Sequence, residues 1–220
     1  MNSKRIPGFA TLLLCSMVGL APAAIAQPNS TPLPVNRAAN VTITPGRSIG
    51  AISLGQSMAA VQQTLGRPLT RRSFEQEQEL FTQAGRDVDR ERLFQQGFDW
   101  VLEYSQSNNR GSYPIYKVYF KNDRAVQINL SIFMYSAAIA QGARLKGTNL
   151  GLLSDRATME RAMGKNYFFY NDDLSFQTFE YLQQGISFLI DDGKIATILL
   201  YEPLSAAEQN RFIRKRSSQT

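Results

Sequence analysis

Along residues 125–132, Val126, Ile128, Leu130 and Ile132 alternate with Gln127, Asn129 and Ser131, the period of a half-buried strand. Residues 98–104, 113–120, 125–133, 167–170, 176–182, 186–190 and 195–201 all read as strands. Two tight turns punctuate them. Asn122-Asp123-Arg124 follows Val118 and Phe120, and Asp191-Asp192-Gly193 follows Ile186 and Phe188, with Asp-Gly a strong hairpin signal. A helical period appears twice. Met58, Val61 and Leu65 form one apolar stripe, and Met159 and Met163 form another. Ser57 caps the first helix, and Ser154 or Asp155 the second. Gly66 and Gly164 end them, and Pro68 prevents continuation. Helices of about ten residues do not stand alone, so each must rest on strands.

These elements recur in order. With Gly66 aligned on Gly164, Val61 falls on Met159, Leu65 on Met163, Leu54 on Leu152 and Ile52 on Leu150. The expected fold class is α+β: two tandem helix plus antiparallel-meander units, joined edge to edge in one sheet, with both helices packed on one face. A duplication of this kind predicts a core divided between the units. The expected organisation is a signal peptide (1–26), a linker (27–43), a first unit (44–146), a second unit (147–204) and a basic tail (205–220). The first unit carries a helical insertion at 70–97, broken at Gly85. Its apolar positions Phe74, Leu80, Phe81, Val88, Leu93 and Phe94 suggest weak packing on the body, so it reads as a solvated excursion, with a partner-binding flap as the alternative.

The first motif is carried by Ile52, Leu54, Gly55, Ser57, Val61, Leu65, Gly66 and Pro68. Leu150, Leu152, Ser154, Met159, Met163 and Gly164 repeat part of it, and Phe188, Asp191, Asp192, Gly193, Lys194 and Ile195 form an aromatic hairpin. This pattern resembles the SmpA/OmlA-type envelope lipoproteins and the β-lactamase inhibitory proteins, which are tandems of such units. The resemblance spans most of residues 45–203. Leu153 departs from it where the first copy has Gly55, and Asn166 where it has Pro68. It implies a non-catalytic envelope module that binds another protein on its sheet. Inhibition of β-lactamase does not carry over, because the stapling cysteines are missing.

Lys4 and Arg5, the apolar run from Phe9 to Leu20 and the Ala24-Ile25-Ala26 site read as an export signal, with cleavage before Gln27. Cys15 is preceded by Leu14 rather than by a small residue, so lipidation is not expected. The mature chain then contains no Cys and no disulfide. It is expected to be soluble in the periplasm or extracellular space. The net charge of +6 invites a nucleic-acid reading, but its distribution opposes one. Residues 27–146 hold 14 cations and 9 anions, residues 147–210 hold 4 and 9, and Arg211, Arg214, Lys215 and Arg216 lie in the tail. The expected partner is another envelope or exported protein, not nucleic acid. The tail reads as a frayed end, with weak contact to an anionic membrane as its functional alternative.

The chain has no His, which removes His-based general bases, nucleophilic triads and the usual zinc ligand sets. No phosphate-binding glycine motif occurs. Asp172-Asp173 and Asp191-Asp192 are the adjacent acid pairs, and both sit at turns, where Asp accepts local backbone bonds. No catalytic residue, cofactor or metal site is therefore expected. A proteinaceous inhibitor of an exported enzyme and a carboxylate-dependent hydrolase of an envelope polymer are the alternative readings.

Aromatic residues are the stronger feature: Trp100, Tyr104, Tyr113, Tyr116, Tyr119, Tyr167, Tyr170 and Tyr181 fall in strands. Phe98, Trp100, Leu102 and Tyr104 read as a core stripe. Tyr119 should point away from the helices, beside Lys117 and opposite Gln127 and Asn129. Lys117, Tyr119, Gln127 and Asn129 are the candidate protein-binding residues.

Overall fold

The computed structural model describes residues 41–108, 111–132, 142–171 and 176–217. The expected signal peptide with Cys15, the expected linker up to residue 40, Asp172-Asp173 and the tail beyond 217 lie outside the described residues. Strands dominate a mixed α+β fold. Eight of them form one antiparallel sheet in the order β4-β5-β6-β7-β12-β11-β10-β9. One half comprises β4 (Thr70–Ser73), β5 (Trp100–Asn108), β6 (Gly111–Lys121) and β7 (Arg124–Ser131). The other comprises β9 (Phe168–Asn171), β10 (Gln177–Tyr181), β11 (Ile186–Asp191) and β12 (Lys194–Tyr201). The halves join where β7 pairs with β12, Ile128 opposite Leu200.

Side chains alternate across a strand, so one face of the sheet collects Leu102, Val118, Phe120, Ile128, Leu130, Phe179, Phe188, Ile198 and Leu200, all buried. Helices α1 (Met58–Leu65) and α4 (Arg156–Met163) lie on this inner face through Val61 and Met159, each fully buried. A second, small sheet closes the layer: β1 (Val41–Thr44), β2 (Ser48–Ile49), β3 (Ile52–Ser53) and β8 (Ala143–Leu145), with β1 and β8 parallel. β1 starts inside the stretch read as linker. The core is one continuous cluster containing Val61 and Met159 together, so the expected division of the core is not seen. The seam strands β7 and β12 are hydrogen-bonded neighbours, and their inner residues pack as one layer.

Both α1 and α4 begin at the same kind of corner. Gly55 N–H donates to Ala125 O (2.8 Å) and Ala125 N–H to Gln56 O (2.9 Å); Leu153 N–H donates to Ile195 O (2.9 Å) and Ile195 N–H to Ser154 O (2.9 Å). Ser57 accepts from Ala60 N–H at the first helix, and Asp155, not Ser154, accepts from Thr158 N–H at the second. Gly66 (φ +80°) and Gly164 (φ +81°) end the helices. The two-residue turns Asn122-Asp123 and Asp192-Gly193 have positive φ throughout, as hairpin turns of the primed type require. A register shift follows each turn at the same place, at Tyr119/Phe120 and at Leu189/Ile190.

The first shift corrects the reading of β7. Phe120 pairs with Ala125 and Tyr119 with Gln127, leaving Val126 as the extra residue. Val126 packs with Val101 and Tyr119 on the other face, not with Ile128.

That other, outer face is covered, and three expectations change with it. The 70–97 insertion opens with a strand, β4, and continues as α2 (Phe74–Gln83), a single 3-10 turn (Val88–Arg90) and α3 (Arg92–Gln96). It is not a solvated excursion. Leu93 and Phe94 pack on Phe98, Val101 and Tyr119, and Glu77 and Arg92 are buried. The basic tail is likewise a helix, α5 (Ala206–Ser217), with Phe212 and Arg216 buried; Phe212 packs with Tyr201 and Phe168. The expected core stripe divides as well. Leu102 and Tyr104 face inward and Phe98 joins the outer cluster. Trp100, 36% exposed, carries the Arg71 guanidinium 3.9 Å above its ring.

Candidate functional site

The register brings the four candidate residues together: Lys117 lies opposite Asn129 and Tyr119 opposite Gln127. Their chemistry is set by what covers them. Ser73 ends β4 and caps α2 in a reciprocal capping box with Gln76, so α2 starts directly above the sheet. Its first turn lowers Glu77 onto the outer face, where no part of it remains exposed. Arg72 Nε donates to Glu77 Oε2 (2.7 Å), Tyr119 OH to Oε1 (3.1 Å) and Lys117 Nζ to Oε1 (3.3 Å). Arg72 also pairs with Glu103, and Lys117 lies 3.7 Å from that same carboxylate. Burial pushes the Glu77 carboxyl up, but Lys117 and Arg72 outweigh it and hold it below its ordinary value. Burial, reinforced by Glu77, holds the Tyr119 hydroxyl well above its ordinary range, so it stays a donor.

A second cluster joins three parts of the chain. Arg92, from α3, donates through Nη2 to Gln127 Oε1 (2.6 Å) and stacks 3.4 Å above the Tyr201 ring. Its Nε has no hydrogen bond among the described residues and stands 3.9 Å from Glu180. Glu180 accepts from Ser187 (2.6 Å), Tyr201 (2.7 Å) and Tyr170 (3.1 Å). Arg216, from α5, sits 3.3 Å above the Tyr170 ring. Burial, with Glu180 adding to it, raises Tyr170 and Tyr201 well above the ordinary phenol range. Burial also raises the Glu91 carboxyl, although Arg86, 2.6 Å away, and Arg216 oppose it.

The four candidates therefore do not form an open surface. Tyr119 and Gln127 are buried at 0% and 2% exposure, and Lys117 and Asn129 are half-buried. The face was expected to be free because nothing in the local period marks the insertion as its cover. Lys117 and Tyr119 bind the chain's own α2, and Gln127 binds its own α3. What stays half-open is the band beyond the cover: Asn129, Ser131, Leu189, Thr197 and Leu199, with Thr197 donating to Ser131 (3.1 Å). The residues missed by sequence reasoning are Glu77, Arg92 and Glu180. The one available signal was a charged residue on the apolar side of each insertion helix, Glu77 between Phe74 and Phe81, and Arg92 next to Leu93.

Both clusters tie the cover to the sheet: α2 through Glu77 and α3 through Arg92. Glu77 accepts from three donors and Glu180 from three hydroxyls, and both carboxylates are buried. Asp191 and Asp192 are exposed at a hairpin tip, away from both. Among the described residues no three Asp, Glu, Cys or His side chains group as metal ligands do. No described helix is long and apolar enough to cross a membrane. Comparison with protein-family models, curated proteins and solved structures finds no match for the chain.

Proposed function

We propose that this chain is a tandem of two helix-meander units and serves as a non-catalytic protein-binding module, exported to the bacterial cell envelope as an assembly or accessory factor. The observation that carries the reading is the repeated corner: the same pair of hydrogen bonds, the same cap position, the same positive-φ helix end and the same register shift in both halves. Independent folding solutions rarely coincide at four such details, so duplication is the economical account. It supports the likeness to envelope repeat proteins.

The binding surface is the half-open band Asn129, Ser131, Leu189, Thr197 and Leu199, with Lys117 at its margin. Its mixture of hydroxyl, amide and apolar side chains suits a protein interface better than a small-molecule pocket. The partner is another exported protein. Weak contact with anionic lipid falls to the exposed Arg211, Arg214 and Lys215 of α5.

The test places a photo-crosslinking residue at Asn129 or Thr197 in the native cell. The reading expects one exported protein captured from both positions, and from neither when the probe sits at Gln63 on α1. Absence of an adduct, or equal capture from Gln63, overturns it. Capture of a secreted enzyme whose activity falls would assign the inhibitor role instead. Mass analysis of the exported chain should show Gln27 as its first residue.

A further inference from the structure

The eight-stranded sheet ends in two edges, and they are guarded unequally. β4 is preceded by Pro68 and carries Arg71 and Arg72, features that keep an edge from pairing with another chain. β9 reads Phe-Phe-Tyr-Asn, with no charge and no proline, and among the described residues it pairs only with β10. Phe169 on this edge is 42% exposed, although its ring lies 5.0 Å from that of Phe179. The strand is held from both sides. Phe168 packs on Phe212 of α5, Arg216 covers Tyr170, and Arg156 of α4 approaches Phe169. An edge already fixed in place loses little entropy on pairing.

We propose that β9 is the contact of a homodimer, in which a second copy adds its own β9 antiparallel and continues the sheet. This goes beyond the binding-module reading and does not rest on it. A two-fold axis normal to the sheet keeps each face on its own side. Residues that meet across the axis must then share a face, which allows registers such as Phe169 opposite Phe169, with Phe168 opposite Tyr170. That register covers the exposed ring with its own copy. Electrostatics permit the approach. The strand is uncharged, and Arg156, 6.0 Å from the centre of the Phe169 ring, is paired with Glu160 at 2.7 Å. A four-residue strand buries less than the roughly 1,200–2,000 Å² of a stable interface, so the dimer is expected to dissociate on dilution.

Sedimentation of the full chain over a concentration series tests this. The expected result is a mass rising from one chain to two, with Phe169→Lys remaining a single chain throughout and keeping the parent circular dichroism. In a Cys15→Ser background, Phe169→Cys should form a disulfide-linked dimer on mild oxidation. Leu80→Cys, also exposed but on α2, should not. A single-chain mass at every concentration, a Phe169→Lys variant that still dimerises, or equal crosslinking from residue 80 would each overturn the proposal.

Discussion

The β4–β7 half and the β9–β12 half share one frame and fill it differently. At the corner before α1 stands Gly55, and at the corner before α4 stands Leu153, yet both residues adopt positive φ, +78° and +64°. The first helix is capped by a hydroxyl, the second by a carboxylate. Over the outer face the first half carries its own insertion, while at the second half's end Phe212 of α5 packs against Phe168. The lesson is that the backbone hydrogen-bond frame fixes the shape of a corner. The residue placed there sets only how much strain or pH dependence the corner carries.

The largest effects should come from the layer the halves share. Met159→Ala removes a fully buried anchor of α4 and should cost about 2–5 kcal/mol by lost transfer energy and a residual cavity. Val61→Ala at the matching position should cost less, because fewer atoms leave. Chemical denaturation of both variants checks this. One cooperative transition is expected in each, since one core spans both halves. Separate transitions would show that the halves unfold independently and would break the comparison.

The cover distinguishes the halves next. Glu77→Gln replaces the buried carboxylate shared by Arg72, Lys117 and Tyr119 with a neutral amide that keeps only one acceptor oxygen, leaves Glu103 as the remaining anion beside both cations, and should cost about 2–3 kcal/mol. The sign with pH follows from its lowered pKa. Ionised Glu77 stabilises the fold above the unfolded carboxylate value, and this is lost as pH falls through the lower folded value. Glu91 runs the other way. Its raised pKa favours the fold while the carboxyl is protonated, and that contribution disappears as pH rises through the folded value. Glu77→Gln should therefore flatten the acid limb of stability, measured as denaturation midpoints from pH 3 to 7.

Much of the inner face was legible in the sequence because it is periodic: Met58, Val61 and Leu65 mark a helix, and Ile128 and Leu130 mark a strand. Turn chemistry was equally local, in Asn122-Asp123 and Asp192-Gly193. The outer face was not legible, because its contacts are ion pairs and hydrogen bonds between distant positions. Glu77 meets Tyr119 42 residues away and Arg92 meets Gln127 35 residues away, separations with no period. α5 reads as a tail because Phe212 and Ile213 stand among Arg211, Arg214, Lys215 and Arg216, and the face that Phe212 and Arg216 bury exists only once β9 and β12 are in place. The small second sheet was missed for a related reason. β1 finds its parallel partner β8 across about 100 residues of intervening chain.

A smaller effect sits at the corner. A left-handed leucine costs about 1–2 kcal/mol of backbone strain, part of which glycine returns as unfolded-state entropy of roughly 0.5–1 kcal/mol. Leu153→Gly should thus stabilise the fold by about 0.5–1 kcal/mol. Gly55→Leu should destabilise it by a similar amount through the backbone alone, because a side-chain carbon there meets nothing within 4 Å. Thermal melts of the pair sharpen the comparison: equal and opposite shifts mean the two corners are one structure. A loss of stability on Leu153→Gly would mean that the exposed leucine makes a contact its half requires.

The smallest difference is the cap, and it is read best by local exchange. Asp155 accepts from the backbone of Thr158, and this hydrogen bond, helped by its side-chain contact with Thr158 and by Lys194 and Arg161, holds its carboxyl below the ordinary 3.8. The ionised cap therefore favours α4 above that value, and the support is lost as pH falls through the lower folded pKa. Ser57 does not titrate in this range, so its bond to Ala60 N–H persists. Met58 N–H is bonded to Asp123 (3.2 Å), which makes Ala60 and Thr158 the amides to compare. Their hydrogen-exchange protection, corrected for intrinsic rate, should diverge below about pH 4, with Thr158 weakening first. Exchanging the caps, Ser57→Asp with Asp155→Ser, should move the acid-sensitive amide from Thr158 to Ala60. If Thr158 keeps its acid sensitivity in the exchanged protein, the pH response belongs to the Lys194 hairpin rather than to the cap, and the two corners are less alike than their hydrogen bonds imply.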